Sequence, residues 1–146
     1  MTAPRFITTV ELGFADCDPA GMGFYPSLVR LINNATEALC AAVGSPWPRM
    51  IAVDRVGMPT VKLDVDFRSP ALHGDRLVFA IAVTKLGRSS VELDHRVTAE
   101  DRAVLTARHV LVTISLETKK SIDMPGDLRA GLERRLGGPH ERNPAT

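Results

Sequence analysis

The segment Asp16-Cys17-Asp18-Pro19-Ala20-Gly21 places two carboxylates directly ahead of a glycine-containing turn, and that turn runs into Pro26 and a stretch with helical spacing. A carboxylate so placed can attack an activated carbonyl or take a proton from water. The first turn of the helix has unpaired backbone N–H groups at the positive end of its dipole, so Tyr25 and its neighbours can cradle an oxygen that gains charge. Such a set suits hydrolysis of an acyl compound. Without that chemistry, an aspartate before proline equally suits an Asx-turn over Pro19-Ala20-Gly21, and Asp16 reads as structural.

Other chemistries fit the same residues poorly. Two flanking carboxylates oppose formation of the Cys17 thiolate, so Cys17 reads as a packing residue. The D-x-D spacing also opens a calcium loop, but its fifth and twelfth positions are Ala20 and Ser27, where oxygen ligands and a glutamate are needed. His73, His95, His109 and His140 lack metal-ligand spacing, and His95 and His109 read as ordinary strand residues. We expect no metal and no redox cofactor.

The elements that must position the loop follow from periodicity. Residues 5–13 alternate, with Phe6, Thr8, Val10 and Leu12 on one side, and form a first strand. From Pro26, the residues Leu28, Leu31, Ile32, Ala35, Leu39 and Ala42 recur at three- and four-residue spacing, which predicts one helix of about 18 residues ended at Gly44. A brief helical turn is expected at 49–56. Val61, Leu63, Val65 and Phe67 alternate with Lys62, Asp64, Asp66 and Arg68 in a strand over 58–69, the charged row being solvated or subunit-facing. Further strands over 76–86, 89–99 and 103–116 with hairpin-length connections make an antiparallel sheet, so aspartyl phosphotransfer on a parallel sheet is excluded. After Pro125-Gly126 a short helix at 127–136 precedes a polar tail whose last ten residues are expected to be mobile.

With 146 residues and 45 % hydrophobic content the chain makes one core, divided as a main domain over 1–125 and a C-terminal helix and tail over 126–146. Eighteen basic against 17 acidic residues leave no field to draw nucleic acid or an anionic membrane. No stretch approaches the ~20 apolar residues that span a bilayer, and two cysteines make no disulfide framework, so the expected compartment is the cytoplasm.

The motif D-C-D-P-A-G-x-x-F-Y-P between a first strand and a central helix, with Gly57-Met58-Pro59-Thr60-Val61 opening the next strand, resembles the 4-hydroxybenzoyl-CoA thioesterase family of hotdog proteins. The resemblance covers roughly residues 5–118 and implies an α+β hotdog fold, a long helix wrapped by about five curved antiparallel strands. It implies an acyl-CoA thioesterase with Asp18 as nucleophile or general base, both roles being open. It also puts the Tyr25 N–H on the thioester oxygen, Gly21, Gly23 and Thr60 beside the substrate, and Arg88 and Ser89 at coenzyme A. Asn33 stands where the 4-hydroxybenzoyl enzyme has a helix aspartate for the phenol, so the acyl group, aromatic or short aliphatic, is open. The resemblance further implies a homodimer with joined sheets, often paired into a tetramer, and active sites between subunits. The alternatives are a thioesterase for acyl-carrier-protein thioesters and a non-catalytic acyl-binding protein.

Overall fold

The structure, a computed structural model, describes residues 4–136; the expected mobile tail, 137–146, lies outside the described residues. The chain starts with β1 (Phe6–Glu11) and a single tight turn (Phe14–Asp16), then enters the long helix α1 (Tyr25–Ala42). A one-turn helix α2 (Trp47–Arg49) continues as a wider turn (Met50–Asp54), two residues before the expected 49–56. There follow β2 (Val56–Gly57), β3 (Thr60–Phe67), β4 (Arg76–Leu86), β5 (Ser90–Ala99), β6 (Arg102–Val112), β7 (Ile114–Ser115) and α3 (Gly126–Glu133).

Five strands form one antiparallel sheet in the order β1-β4-β5-β6-β3, which leaves β1 and β3 at its edges. α1 lies on the inner face and buries Leu28, Leu31, Ile32, Ala35 and Leu39 against Phe79, Ile81, Leu93 and Leu111 of the sheet. That is the expected α+β hotdog arrangement. Ala42, counted in the apolar stripe, is exposed in the last turn of α1, while Thr36 and Cys40 take buried places instead. The helix ends in a Schellman motif, with Ser45 N–H on Cys40 O at 2.9 Å, Gly44 N–H on Ala41 O at 3.1 Å and Gly44 at φ +97°.

Two expected strands change at their ends. The strand read over 103–116 breaks at Thr113, whose N–H and hydroxyl both bond Ser89 O, at 2.8 and 3.2 Å. The chain then leaves the main sheet, and Ile114–Ser115 pairs with Val56–Gly57. The strict alternation of β3 breaks at its start: the register against β6 slips between Thr60 and Lys62, a bulge at Val61 that turns Thr60 to the inner face opposite Leu111. α3 sets Leu128 and Leu132 into the same core, at 0 and 1 % exposure, so it packs as part of the single unit.

Candidate active site

The loop after β1 folds back on itself. Asp18 N–H donates to Met22 O at 2.8 Å and Gly21 N–H to Asp18 O at 2.9 Å, with Gly21 at φ +78° as only glycine adopts readily. Asp18 Oδ1 accepts from the N–H groups of Ala20 at 2.9 Å and Met22 at 3.2 Å. The Asx-turn is therefore present. It uses one carboxylate oxygen only, and Oδ2 accepts no hydrogen bond from the described residues.

Neighbouring groups fix the loop to the fold. Phe24 N–H donates to Asp16 O at 2.8 Å, and the Asp16 carboxylate pairs with Arg30 one turn into α1. Gly23 N–H reaches Ala71 O at 2.7 Å, and a Cβ on Gly23 would stand 3.2 Å from Ala71 Cβ and from Leu28 Cδ2. Gly23 thus serves close packing of the loop against the chain that leads into β4, a different reason for glycine than approach to a substrate. Burial, and then the Asp16 and Asp18 carboxylates, push the Cys17 thiol up, as its reading as a packing residue requires.

At the start of α1, Pro26 has no N–H, and the N–H groups of Ser27 and Leu28 both turn onto Phe24 O at 2.9 and 3.1 Å. Tyr25 N–H is left without a partner among the described residues, at the positive end of the helix. Met22, Phe24, Tyr25 and Leu72 expose apolar surface around this point.

The remaining selected residues lie elsewhere. Asn33 is exposed two turns along α1. Arg88 is ion-paired with Asp123, and Ser89 O is occupied by Thr113. The Asp18 loop meets the sheet at the end where β4 begins, through the pairing of Met22 with Leu72. Arg88 and Ser89 follow the far end of β4, about 30 Å away at 3.3 Å per residue, and Thr60 starts β3 at that same far end, opposite Leu111. One subunit therefore brings Asp18, Gly21, Gly23 and Tyr25 together but separates them from Thr60, Arg88 and Ser89. A cleft of about 210 Å³ between β1 and α1, lined by Thr8, Val10, Leu31, Asn34 and Phe79, includes none of these residues.

The fold is that of the hotdog proteins. The chain belongs to the thioesterase-like superfamily, which matches it over residues 12–132. Its named relatives are hydrolases of acyl-CoA thioesters. It is 30 % identical over 122 residues to a 1,4-dihydroxy-2-naphthoyl-CoA hydrolase of Synechococcus elongatus, covering 82 % of this chain and 89 % of that one. A thioesterase-superfamily structure from Jannaschia superposes with a TM-score of 0.84 at 26 % identity, covering 93 % of this chain and 97 % of that chain. A 4-hydroxybenzoyl CoA thioesterase variant complexed with 4-hydroxybenzoyl CoA superposes with a TM-score of 0.81 at 22 % identity, covering 89 and 99 %.

Proposed function

We propose that this thioesterase acts on an aromatic acyl-CoA, with Asp18 as the group that attacks the thioester carbonyl or activates water to do so, and Tyr25 N–H as the donor to its oxygen. The observation that carries this reading is a pair of unused groups in one folded segment: Asp18 Oδ2 and Tyr25 N–H both lack a partner among the described residues, and the pairings of Asp18 with Met22 and of Asp16 with Phe24 tie the Asp18 loop to the chain that enters α1. As the thioester oxygen gains charge, the N–H and the helix dipole stabilise it more than they stabilise the ground state, which lowers the barrier. The carboxylate supplies the attack, as an anhydride-forming nucleophile or through water. The similarity to a dihydroxynaphthoyl-CoA hydrolase supports an aromatic acyl group.

The working unit we propose is a dimer, paired through the β3 edge. Val61 and Phe67 are 58 and 51 % exposed on this edge strand, whose outer N–H and C=O groups face no other described strand. Two β3 edges paired antiparallel about a two-fold axis set the start of one strand against the end of the other. That arrangement brings the Thr60, Arg88 and Ser89 end of one subunit to the Asp18 end of its partner. The cytoplasm suits such an enzyme, since Cys17 and Cys40 are both free thiols.

Thiol release from a panel of aromatic and aliphatic acyl-CoAs by the wild type and Asp18→Asn tests the reading. A loss of about 100-fold or more in the variant supports Asp18, because a positioned acid or base contributes 10²–10⁴-fold. Equal rates would remove Asp18 from the chemistry, and turnover of acyl-carrier-protein thioesters alone would replace the substrate class.

A further inference from the structure

Residues 17–24, which carry Asp18, belong neither to a helix nor to the main sheet, and a second loop, the one that leads into β4, holds them from outside. Gly21 O accepts from His73 N–H at 2.9 Å, Ala71 O accepts from Gly23 N–H at 2.7 Å, and Met22 pairs with Leu72 between them. Met22 in turn holds Asp18 twice: its O accepts Asp18 N–H at 2.8 Å, and its N–H reaches Asp18 Oδ1 at 3.2 Å. The place of the Asp18 carboxylate is therefore set, through Met22, by whatever fixes residues 71–73.

Asp75 fixes them. Leu72 N–H donates to Asp75 Oδ2 at 2.8 Å, and Asp75 N–H donates back to Leu72 O at 2.9 Å, which closes the turn in both directions. Leu12 N–H on Asp75 O and Gly74 N–H on Leu12 O, both at 2.8 Å, seat the turn on Leu12, which is fully buried at the end of β1. Arg102, 27 residues further along at the start of β6, pairs with the same Oδ2 in a part-buried contact. A charge-assisted bond of this kind fixes the direction of a carboxylate more firmly than one backbone N–H does. Neither Asp75 nor Arg102 is a reacting group in the proposed chemistry, and neither is among the residues proposed to hold the substrate.

We infer that Asp75, oriented by Arg102, is a positioning residue for Asp18 and acts through Leu72 and Met22. The inference rests on the reading of Asp18 as the group that acts on the thioester. A misplacement of about 1 Å at a reacting group lowers the rate by about 100-fold, so an ion pair that touches no substrate can govern turnover. Its loss should reach kcat and leave KM almost unchanged.

The readouts are kcat and KM on whichever acyl-CoA of the panel the wild type turns over fastest. Asp75→Asn keeps an oxygen for Leu72 N–H but gives up the charge that faces Arg102, whereas Asp75→Ala gives up both. We expect kcat to fall about tenfold in the first and about 100-fold in the second, with KM within about twofold of wild type. Arg102→Ala should match Asp75→Asn. Arg102→Lys should regain most of the rate, since Asp75 engages one nitrogen of Arg102 and an ammonium can supply one. A second background separates positioning from support of the fold. In Asp18→Asn, Asp75→Ala should lower the residual kcat by less than about twofold, because a carboxylate already removed cannot be misplaced.

Unchanged kcat in Asp75→Ala and Arg102→Ala would overturn the inference. So would a rise in KM with kcat kept, or an equal fold loss in both backgrounds, which would make the pair a support of the fold alone. If Asp75→Ala fails to fold, Asp75→Asn and Arg102→Ala in the same two backgrounds decide the matter. These results leave the thioesterase reading standing, whereas full activity of Asp18→Asn on its own would strike the reading of Asp18 instead.

Discussion

At the scale of single residues, one oxygen of Asp18 holds its loop and the other is the group proposed to act on the thioester, and substitutions can separate the two. Asparagine keeps an oxygen for the N–H groups of Ala20 and Met22, whereas alanine removes it. Both variants should lose turnover, but Asp18→Ala should also lower stability by about 1 kcal/mol relative to Asp18→Asn, as judged by urea unfolding. Tyr25 provides a backbone group, so its test is proline. Proline is tolerated at the first helical position, and Phe24 before it already has φ −76° and ψ 125°, which suit a residue preceding proline. Tyr25→Pro should therefore fold, with an unchanged circular dichroism spectrum, yet lose about 100- to 1,000-fold in kcat, the cost of one oxyanion donor.

At the scale of elements, the Asp18 loop holds its position because close packing at Gly23 leaves no room around it. α3 is docked in the same way at the other end of α1, where a Cβ on Gly131 would stand 2.6 Å from Val43 O and 2.7 Å from Val43 Cβ. The nearer atom is backbone and cannot rotate aside. Gly131→Ala should therefore destabilise the fold by about 1–3 kcal/mol, despite alanine's better helix propensity, and calorimetry would register the lower Tm.

For the whole molecule, two consequences follow from what the fold buries and what it leaves open. Burial first, and then the charge of His109 and Arg5, hold His95 down to about 3; burial holds His109 down to about 4. Both rings are neutral in the folded chain, while in the unfolded chain they take protons near the ordinary 6.5. The unfolded state then binds more protons below that value, so this contribution is fully present above about pH 6.5 and is lost as the pH falls toward 4. Urea midpoints measured from pH 7 to 4 should fall, and they should fall less in a His95→Phe variant. The open β3 edge carries the second consequence. Val61→Asp should yield monomers in sedimentation equilibrium and remove activity, although Val61 lies at the end of β3 remote from Asp18.

Much of this was legible from residue order alone, because local rules govern it. Pro26, the apolar spacing through Leu39 and Gly44 specify α1 within the chain itself, and the glycine-bearing turn after Asp18 needs only its own backbone. Alternation likewise marked the strands, and the D-C-D-P-A-G motif marked the family. What the sequence could not show depends on partners distant in the chain. The slip at Val61 arises only when β3 meets β6, and the break at Thr113 only when its N–H and hydroxyl reach Ser89. His95 and His109 read as ordinary strand positions because nothing nearby in sequence says that α1 will set Thr36 upon them. The separation of Thr60, Arg88 and Ser89 from Asp18 was hidden for the same reason: it is a length of sheet, and strand order is decided by long-range pairing rather than by any local preference.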